Sequence, residues 1–176
     1  MLKGVIAGAI GGLAGTSAMN EAQRAWTNAV DGQAPESPAG KHDARDWQER
    51  SEGQNSNEIA AQYVATYIAG RSLDRSELAV AATFTHYAFG AAMGALYGAY
   101  AERRRRQPTG IGFGLAVWLL ADEIAMPLLG LSGSTLRRPL EKHLQSIAAH
   151  IVFGMTTEAA RGAFERQLDQ LGSQAA

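Results

Sequence analysis

An uncharged run of 23 residues, 79–101, constrains the fold of this chain more than any other feature. Gly90, Gly94 and Gly98 recur in it every four residues, so they lie on one face of a helix. Small residues at this spacing let helix backbones approach closely, which is typical of packing in membranes. Because about 20 apolar residues cross the hydrocarbon core, the run predicts a spanning helix over about 76–101.

An internal repeat relates this run to the end of the chain. Shifted by 64 positions, His86 falls on His150 and Gly90 on Gly154. A weaker match, at a shift of 102, brings Gly8 of the first apolar segment, 4–20, onto Gly110. Internal repeats of this kind indicate a duplicated structural unit. The predicted unit is a helix pair that occurs twice in tandem.

The predicted fold is therefore all-α, a four-transmembrane-helix bundle with glycine-rich packing that forms one membrane domain, 1–176. The spanning helices are expected over about 2–26, 76–101, 109–131 and 144–164, and a polar external loop over about 27–75 with a short helix at 57–70. Asp74 to Glu77 match a capping box before the second spanning helix, and Gly70 is a plausible end for the short helix.

Basic residues predict the orientation of this bundle. Arg103 to Arg106 follow the second spanning helix, and the positive-inside rule places such clusters in the cytoplasm. With four spans, both chain ends are then cytoplasmic. Two alternatives stay open: the first segment also fits a signal peptide, and charges in the fourth helix together with a mean hydropathy of −0.15 fit a soluble four-helix bundle.

Composition and motifs exclude several classes of function. The chain has no cysteine and a net charge of −1, which removes thiolate chemistry and gives no electrostatic basis for nucleic-acid binding. It contains no phosphate-binding glycine loop, no nucleophile elbow and no His-Glu-x-x-His motif. We therefore expect a protein without enzymatic activity.

Ionisable residues inside the predicted helices are the candidate site. The four-span model puts two histidines and three carboxylates in one layer of the outer leaflet, namely His86, His150, Glu21, Asp122 and Glu123. Such groups are costly in a membrane and normally face the bundle interior and partner one another. In one interpretation these residues hold the helices together through hydrogen bonds. In another they change their charge with external pH, since the ordinary pKa of histidine is about 6.5.

A third interpretation of the same residues is a metal or haem site. Two histidines and carboxylates suit a divalent transition metal, and paired histidines beside Gly90 and Gly154 leave room for haem. The Glu-x-x-His motif of di-iron bundles is absent, because Thr83 and Ile147 precede the two histidines by three positions. The sequence does not single out a cofactor.

Several short motifs resemble one known family. They are Thr85-His86-x-x-Phe89 with Tyr97 and Ala101-Glu102, Pro127-Leu128-x-Gly130-Leu131, and His150-x-Val152 with Glu158 and Arg161. Over about residues 80–166 the chain resembles the YagU-like family of small bacterial inner-membrane proteins. The resemblance implies an inner-membrane location and a link to acid resistance, with no known biochemical activity and no catalytic residues.

The leading hypothesis is a small, multi-pass, non-enzymatic inner-membrane protein with a His/carboxylate layer that acts in acid response. The alternatives are a metal- or haem-binding subunit of a larger membrane complex and a purely structural scaffold. The expected partner is the lipid bilayer, and either a homo-oligomer or a membrane complex is compatible with the pattern.

Overall fold

The computed structural model describes residues 2–31, 56–68, 70–103, 109–125, 128 and 140–174, and this part of the chain is almost entirely helical. Five helices follow in order, namely α1 (Leu2–Asp31), α2 (Ser56–Ile68), α3 (Arg75–Arg103), α4 (Gly110–Trp118) and α5 (Leu140–Gln174). A π-helical segment, Leu119–Ala125, continues α4 directly. The prediction of an all-α protein is confirmed.

Helix α1 lies at the centre of the bundle. It packs against α3 and α5, while α4 packs on α5 and α2 on α3. At one end of α1, Lys3 forms an ion pair with Asp169 of α5, and the Gly4 N–H donates to Glu102 of α3 at 3.1 Å. At the other end, Gln145 of α5 donates to Thr27 at 3.4 Å. Helix α1 is therefore antiparallel to both α3 and α5.

Glycines bring α1 and α3 into direct backbone contact. A Cβ atom added at Gly8 would overlap the carbonyl oxygen of Gly94, and one at Gly94 would overlap that of Gly8. Gly12 meets the Gly90 carbonyl in the same way. Any larger residue at these positions pushes the helices apart, because the obstacle is backbone and cannot rotate away. The glycine faces that the sequence indicated thus lie against each other.

The pair formed by α4 and α5 uses the same kind of contact. A Cβ at Gly110 would lie 2.5 Å from the Gly154 carbonyl oxygen, and Gly114 meets the carbonyl of His150. In the sequence comparison, Gly110 corresponds to Gly8. Gly8 faces Gly94, whereas Gly110 faces Gly154, which corresponds to Gly90 in the same comparison. The α4–α5 pair therefore differs in register from the α1–α3 pair by one helical turn.

The predicted capping box at the start of α3 is confirmed. Asp74 Oδ1 accepts from the backbone N–H groups of Ser76 and Glu77, both at 2.8 Å. Glu77 in turn accepts from the Asp74 N–H at 3.1 Å. The hydrogen bond from the Glu77 backbone, reinforced by Ser76, holds the pKa of Asp74 below its ordinary value. Gly70, with φ +67°, follows α2 as expected for a residue that ends a helix.

The described part of the chain exposes many large apolar side chains and buries an arginine. The largest fully buried side chains are Arg161, Thr16 and Thr157. Much of the surface is instead large and apolar, including Val80, Phe84, Leu96, Leu120 and Leu128 at 61–80% exposure. Soluble domains bury such residues and rarely bury arginine. The interior thus combines small and apolar residues with a few buried polar side chains, while many large apolar side chains are exposed.

The four predicted membrane spans are not confirmed. Among the described helices, one stretch, Leu2–Val30, is long and apolar enough by itself to cross a bilayer, with a mean hydropathy of 1.2 over 18 of its residues. Helix α3 contains glycine, threonine, tyrosine and histidine, which lower its mean, and α5 carries charges along its length. The described helical part of the third predicted span, 110–125, is shorter than 18 residues.

Two predicted boundaries need correction. Helix α1 continues to Asp31 instead of ending near residue 26, and α5 runs from Leu140 to Gln174, well beyond 144–164. Both helices continue into polar residues that were expected to lie outside them. Polar residues on the surface can extend a helix because each added residue still forms its backbone hydrogen bond. The loop residues 32–55, Arg104 to Arg106 and the Pro127 motif, apart from Leu128, lie outside the described residues.

Candidate functional site

A histidine, a serine and an aspartate connect α5 to the π-helical segment. His150 is only 7% exposed, and its Nδ1 lies 2.9 Å from the Ser146 carbonyl oxygen. Because a carbonyl only accepts, Nδ1 carries the hydrogen and Nε2 is left to bind a proton. The Ser146 hydroxyl donates to Asp122 Oδ2 at 2.7 Å. Ser146 therefore links the imidazole to a carboxylate on the neighbouring element.

His86 of α3 completes this group, which we call the histidine layer (His86, Asp122, Ser146 and His150). It is partly buried and interacts electrostatically with both His150 and Asp122. The layer joins α3, the π-helical segment and α5, and three of its members were predicted from the sequence.

The two remaining predicted residues have other partners. Glu123 lies 3.6 Å from His143 Nε2 on α5, next to the histidine layer. Glu21 is exposed and forms an ion pair with Arg24, three residues along α1. Among the described residues, no three His, Asp or Glu side chains stand close enough to hold a metal ion. The five residues proposed as metal ligands therefore do not converge on one point.

The π-helical segment explains how Asp122 and Glu123 reach α5. In a π-helix each turn takes in one more residue than in an α-helix, and such turns are frequent at functional sites. Asp122 and Glu123 both lie within Leu119–Ala125, and they meet Ser146 and His143, which are three residues apart. The sequence predicted an ordinary α-helix here, so this device was missed.

A second polar group lies deeper along the bundle, and we call it the arginine cluster (Tyr97, Glu158, Arg161 and Glu165). Arg161 is 2% exposed. Its Nε and Nη2 donate to the two carboxylate oxygens of Glu158, both at 2.8 Å, and its Nη1 pairs with Glu165 at 2.7 Å. Tyr97 of α3 hydrogen-bonds to Glu158, and its ring lies 5.9 Å from the guanidinium carbon.

The sequence analysis did not predict that Arg161 and Glu158, two of the charges in the fourth predicted helix, lie in the core. One available signal was overlooked. Ala149, Phe153, Thr157 and Arg161 recur every four residues and form one buried face of α5. An arginine in register with small and aromatic core residues indicates burial, because side chains four apart share a helix face.

An apolar group packs in the core around the level of His150, and we call it the apolar plug (Met19, Met93, Phe113, Val117, Ala149 and Phe153). The Phe113 ring lies 5.6 Å from that of Phe153 and stacks on Tyr97 at 4.2 Å. The rings thus run from the plug to the arginine cluster. At the opposite end of the plug, the indole N–H groups of Trp26 and Trp118 find no acceptor within the described part of the chain.

More than half of the chain matches one known protein family. A family model described as "Protein of unknown function (DUF1440)" matches residues 61–159. The chain belongs to the DUF1440 family. The match includes the histidine layer, Tyr97 and Glu158 of this DUF1440 protein, while α1 and Arg161 lie outside it. None of the curated proteins and none of the solved structures that were compared matches the chain.

Proposed function

We propose that this DUF1440 protein is a small, non-enzymatic, multi-pass membrane protein whose histidine layer responds to acid. The observation that carries the proposal is that Ser146 holds both His150, through its backbone carbonyl, and Asp122, through its hydroxyl, at a part-buried position in a bundle that exposes many large apolar side chains. The α1 span and the resemblance to the YagU-like family, with its link to acid resistance, support a location in the bacterial inner membrane.

The apolar surface supports insertion of the whole bundle, including helices whose own composition is only moderately apolar. Lipid solvates side chains such as Phe84 and Leu96, whereas water penalises each exposed large apolar side chain. Inside the bundle, glycine contacts and buried hydrogen bonds replace the leucine seams of soluble bundles. A multi-pass arrangement thus satisfies both the outside and the inside of the molecule.

Protonation of the histidine layer provides the response. The layer holds two histidines, and histidine is the side chain whose ordinary ionisation lies closest to neutral pH. Acidification on the outer side charges them, and two positive charges then face one carboxylate, Asp122. The repulsion acts between α3, which carries His86, and α5, which carries His150. Protonation therefore favours a looser contact between these helices.

The groups around the layer determine how specific this response is. The ionisable side chains near it are Glu21 and Arg24 on α1, Tyr87 on α3, Asp122 and Glu123 on the π-helical segment, and Glu141, Lys142 and His143 on α5. Glu21 and Arg24 pair with each other on the surface. His143 is the one other histidine among these side chains, and it pairs with Glu123.

Tryptophan fluorescence of the purified protein between pH 7 and pH 5 tests the proposal. Trp118 lies one helical turn before Asp122, so a change in packing at the layer alters its environment. We expect a reversible transition that is lost in the double variant His86→Ala/His150→Ala and retained in His143→Ala. An unchanged transition in the double variant, or no transition in the wild type, would overturn the proposal.

A further inference from the structure

The π-helical segment, Leu119–Ala125, contains one residue more than an α-helix needs to continue α4. None of its seven residues is buried, so apolar packing contributes little to holding it in this form. Two polar contacts join it to α5. Asp122 accepts from the Ser146 hydroxyl at 2.7 Å, and Glu123 lies 3.6 Å from His143 Nε2. The π register therefore depends on these two contacts.

The sequence also supports a plain α-helix through the same segment. Gly114 meets the backbone of α5, and Val117 is buried three residues later. At the spacing of an α-helix, the next residues on this face are Ala121 and Ala125, and small residues let helices pack closely. In the π register Asp122, five residues after Val117, takes the place of Ala121. The segment thus carries a small face and a polar face that are one residue apart.

From these two faces we propose that Leu119–Ala125 is a register switch, which exchanges between a π form with Asp122 on α5 and an α form with Ala121 on α5. The inference rests on the proposed acid response and names the element that moves in it. The body of α4 stays in place during the exchange, because Gly110 and Gly114 are in backbone contact with α5. The exchange turns the end of the helix, beyond α4, by one residue position.

Charge selects between the two registers. Within the described residues, the ionisable side chains on the helices around the switch are Glu21 and Arg24 on α1, Arg75, Glu77, His86 and Tyr87 on α3, and Glu141, Lys142, His143 and His150 on α5. Helix α4 contributes none. Of these, His143 lies against Glu123, and His86 interacts electrostatically with Asp122. Protonation of either histidine strengthens its attraction for the carboxylate. Acid therefore favours the π form, and the α form gains population as the pH rises.

Deletion of a single residue tests the switch. Without Leu120, which is 61% exposed, an uninterrupted α-helix brings Asp122 to α5, and the extra residue that allows a second register is gone. We expect this variant to keep the wild-type midpoint of thermal unfolding in detergent and to lose the tryptophan fluorescence transition between pH 7 and pH 5. Deletion of Leu119 instead of Leu120 should give the same result, because it removes the same extra residue.

Deletion of Leu96 is the matched control, because Leu96 is 64% exposed in α3, where the α-helix has no extra residue. This deletion should turn Gly98 away from Gly4 and lower the unfolding midpoint. Equal losses of stability after deletion of Leu96, Leu119 and Leu120 would overturn the switch. A fluorescence transition that persists in the folded deletion variants would also overturn it, and the acid response would then stand without the switch. Absence of the transition in the wild type would contradict the acid response itself, and the switch with it.

Discussion

Arg161 shows how a single residue can dominate the interior of a bundle built from small side chains. It is the largest of the fully buried residues, and each of its three donor nitrogens has a carboxylate acceptor. An ionised side chain removed from solvent is tolerated only when it is paired and hydrogen-bonded. The stability of this region therefore depends on the complete arginine cluster and less on any single pair.

Removal of the Arg161 guanidinium should lower the stability of the fold. Arg161→Ala leaves the Glu158 and Glu165 carboxylates side by side without their cation. We expect a loss of about 3 kcal/mol in the free energy of unfolding, at the lower end for buried pairs, because the two carboxylate side chains keep 23% and 21% exposure. Denaturant titration in detergent micelles, followed by circular dichroism, measures it.

Arg24→Ala is the control for this measurement. Arg24 and Glu21 are paired but about 70% exposed, and exposed ion pairs contribute less than about 1 kcal/mol. Equal losses in the two arginine variants would show that burial of Arg161 has no energetic consequence.

Glycine contacts organise the molecule at the scale of its helices. The four-residue spacing in α1 and α3 could be read from the sequence because it is a local property of one helix face. The π-helical segment after α4 could not, since its extra residue per turn depends on contacts with α5. The sequence did not predict the register of either helix pair: Gly8 faces Gly94, whereas Gly110 faces Gly154.

Gly94→Ala tests the contact between α1 and α3. The new Cβ would overlap backbone atoms of Gly8 and Gly12, and overpacking of this kind costs about 1–3 kcal/mol. We expect a correspondingly lower midpoint of thermal unfolding in detergent, and a larger decrease for Gly94→Leu.

The matched substitution is Gly172→Ala in α5, where a Cβ meets no atom within 4 Å. Alanine is favoured over glycine in a helix by about 0.5–1 kcal/mol, so this variant should be as stable as the wild type or slightly more stable. A normal unfolding midpoint for Gly94→Ala would contradict the close approach of the two helices.

At the scale of the whole molecule, polarity and length agree with a bilayer. Helices α1 and α3 contain 30 and 29 residues, which is about 45 Å at 1.5 Å per residue and more than the roughly 30 Å hydrocarbon core. The sequence predicted the helical class and three members of the histidine layer. The arginine cluster was not predicted, although the four-residue recurrence of Ala149, Phe153, Thr157 and Arg161 in α5 is a local signal of its burial.

Cysteine accessibility tests the central claim, a multi-pass bundle with both ends on the cytoplasmic side. The chain has no cysteine, so Ser72→Cys, before α3, and Ser173→Cys, in the last turn of α5, each introduce a single exposed thiol. In intact spheroplasts a membrane-impermeant maleimide should label Ser72→Cys alone, and permeabilisation should expose Ser173→Cys. Labelling of both thiols in intact spheroplasts, or recovery of the protein in the soluble fraction, would contradict the account.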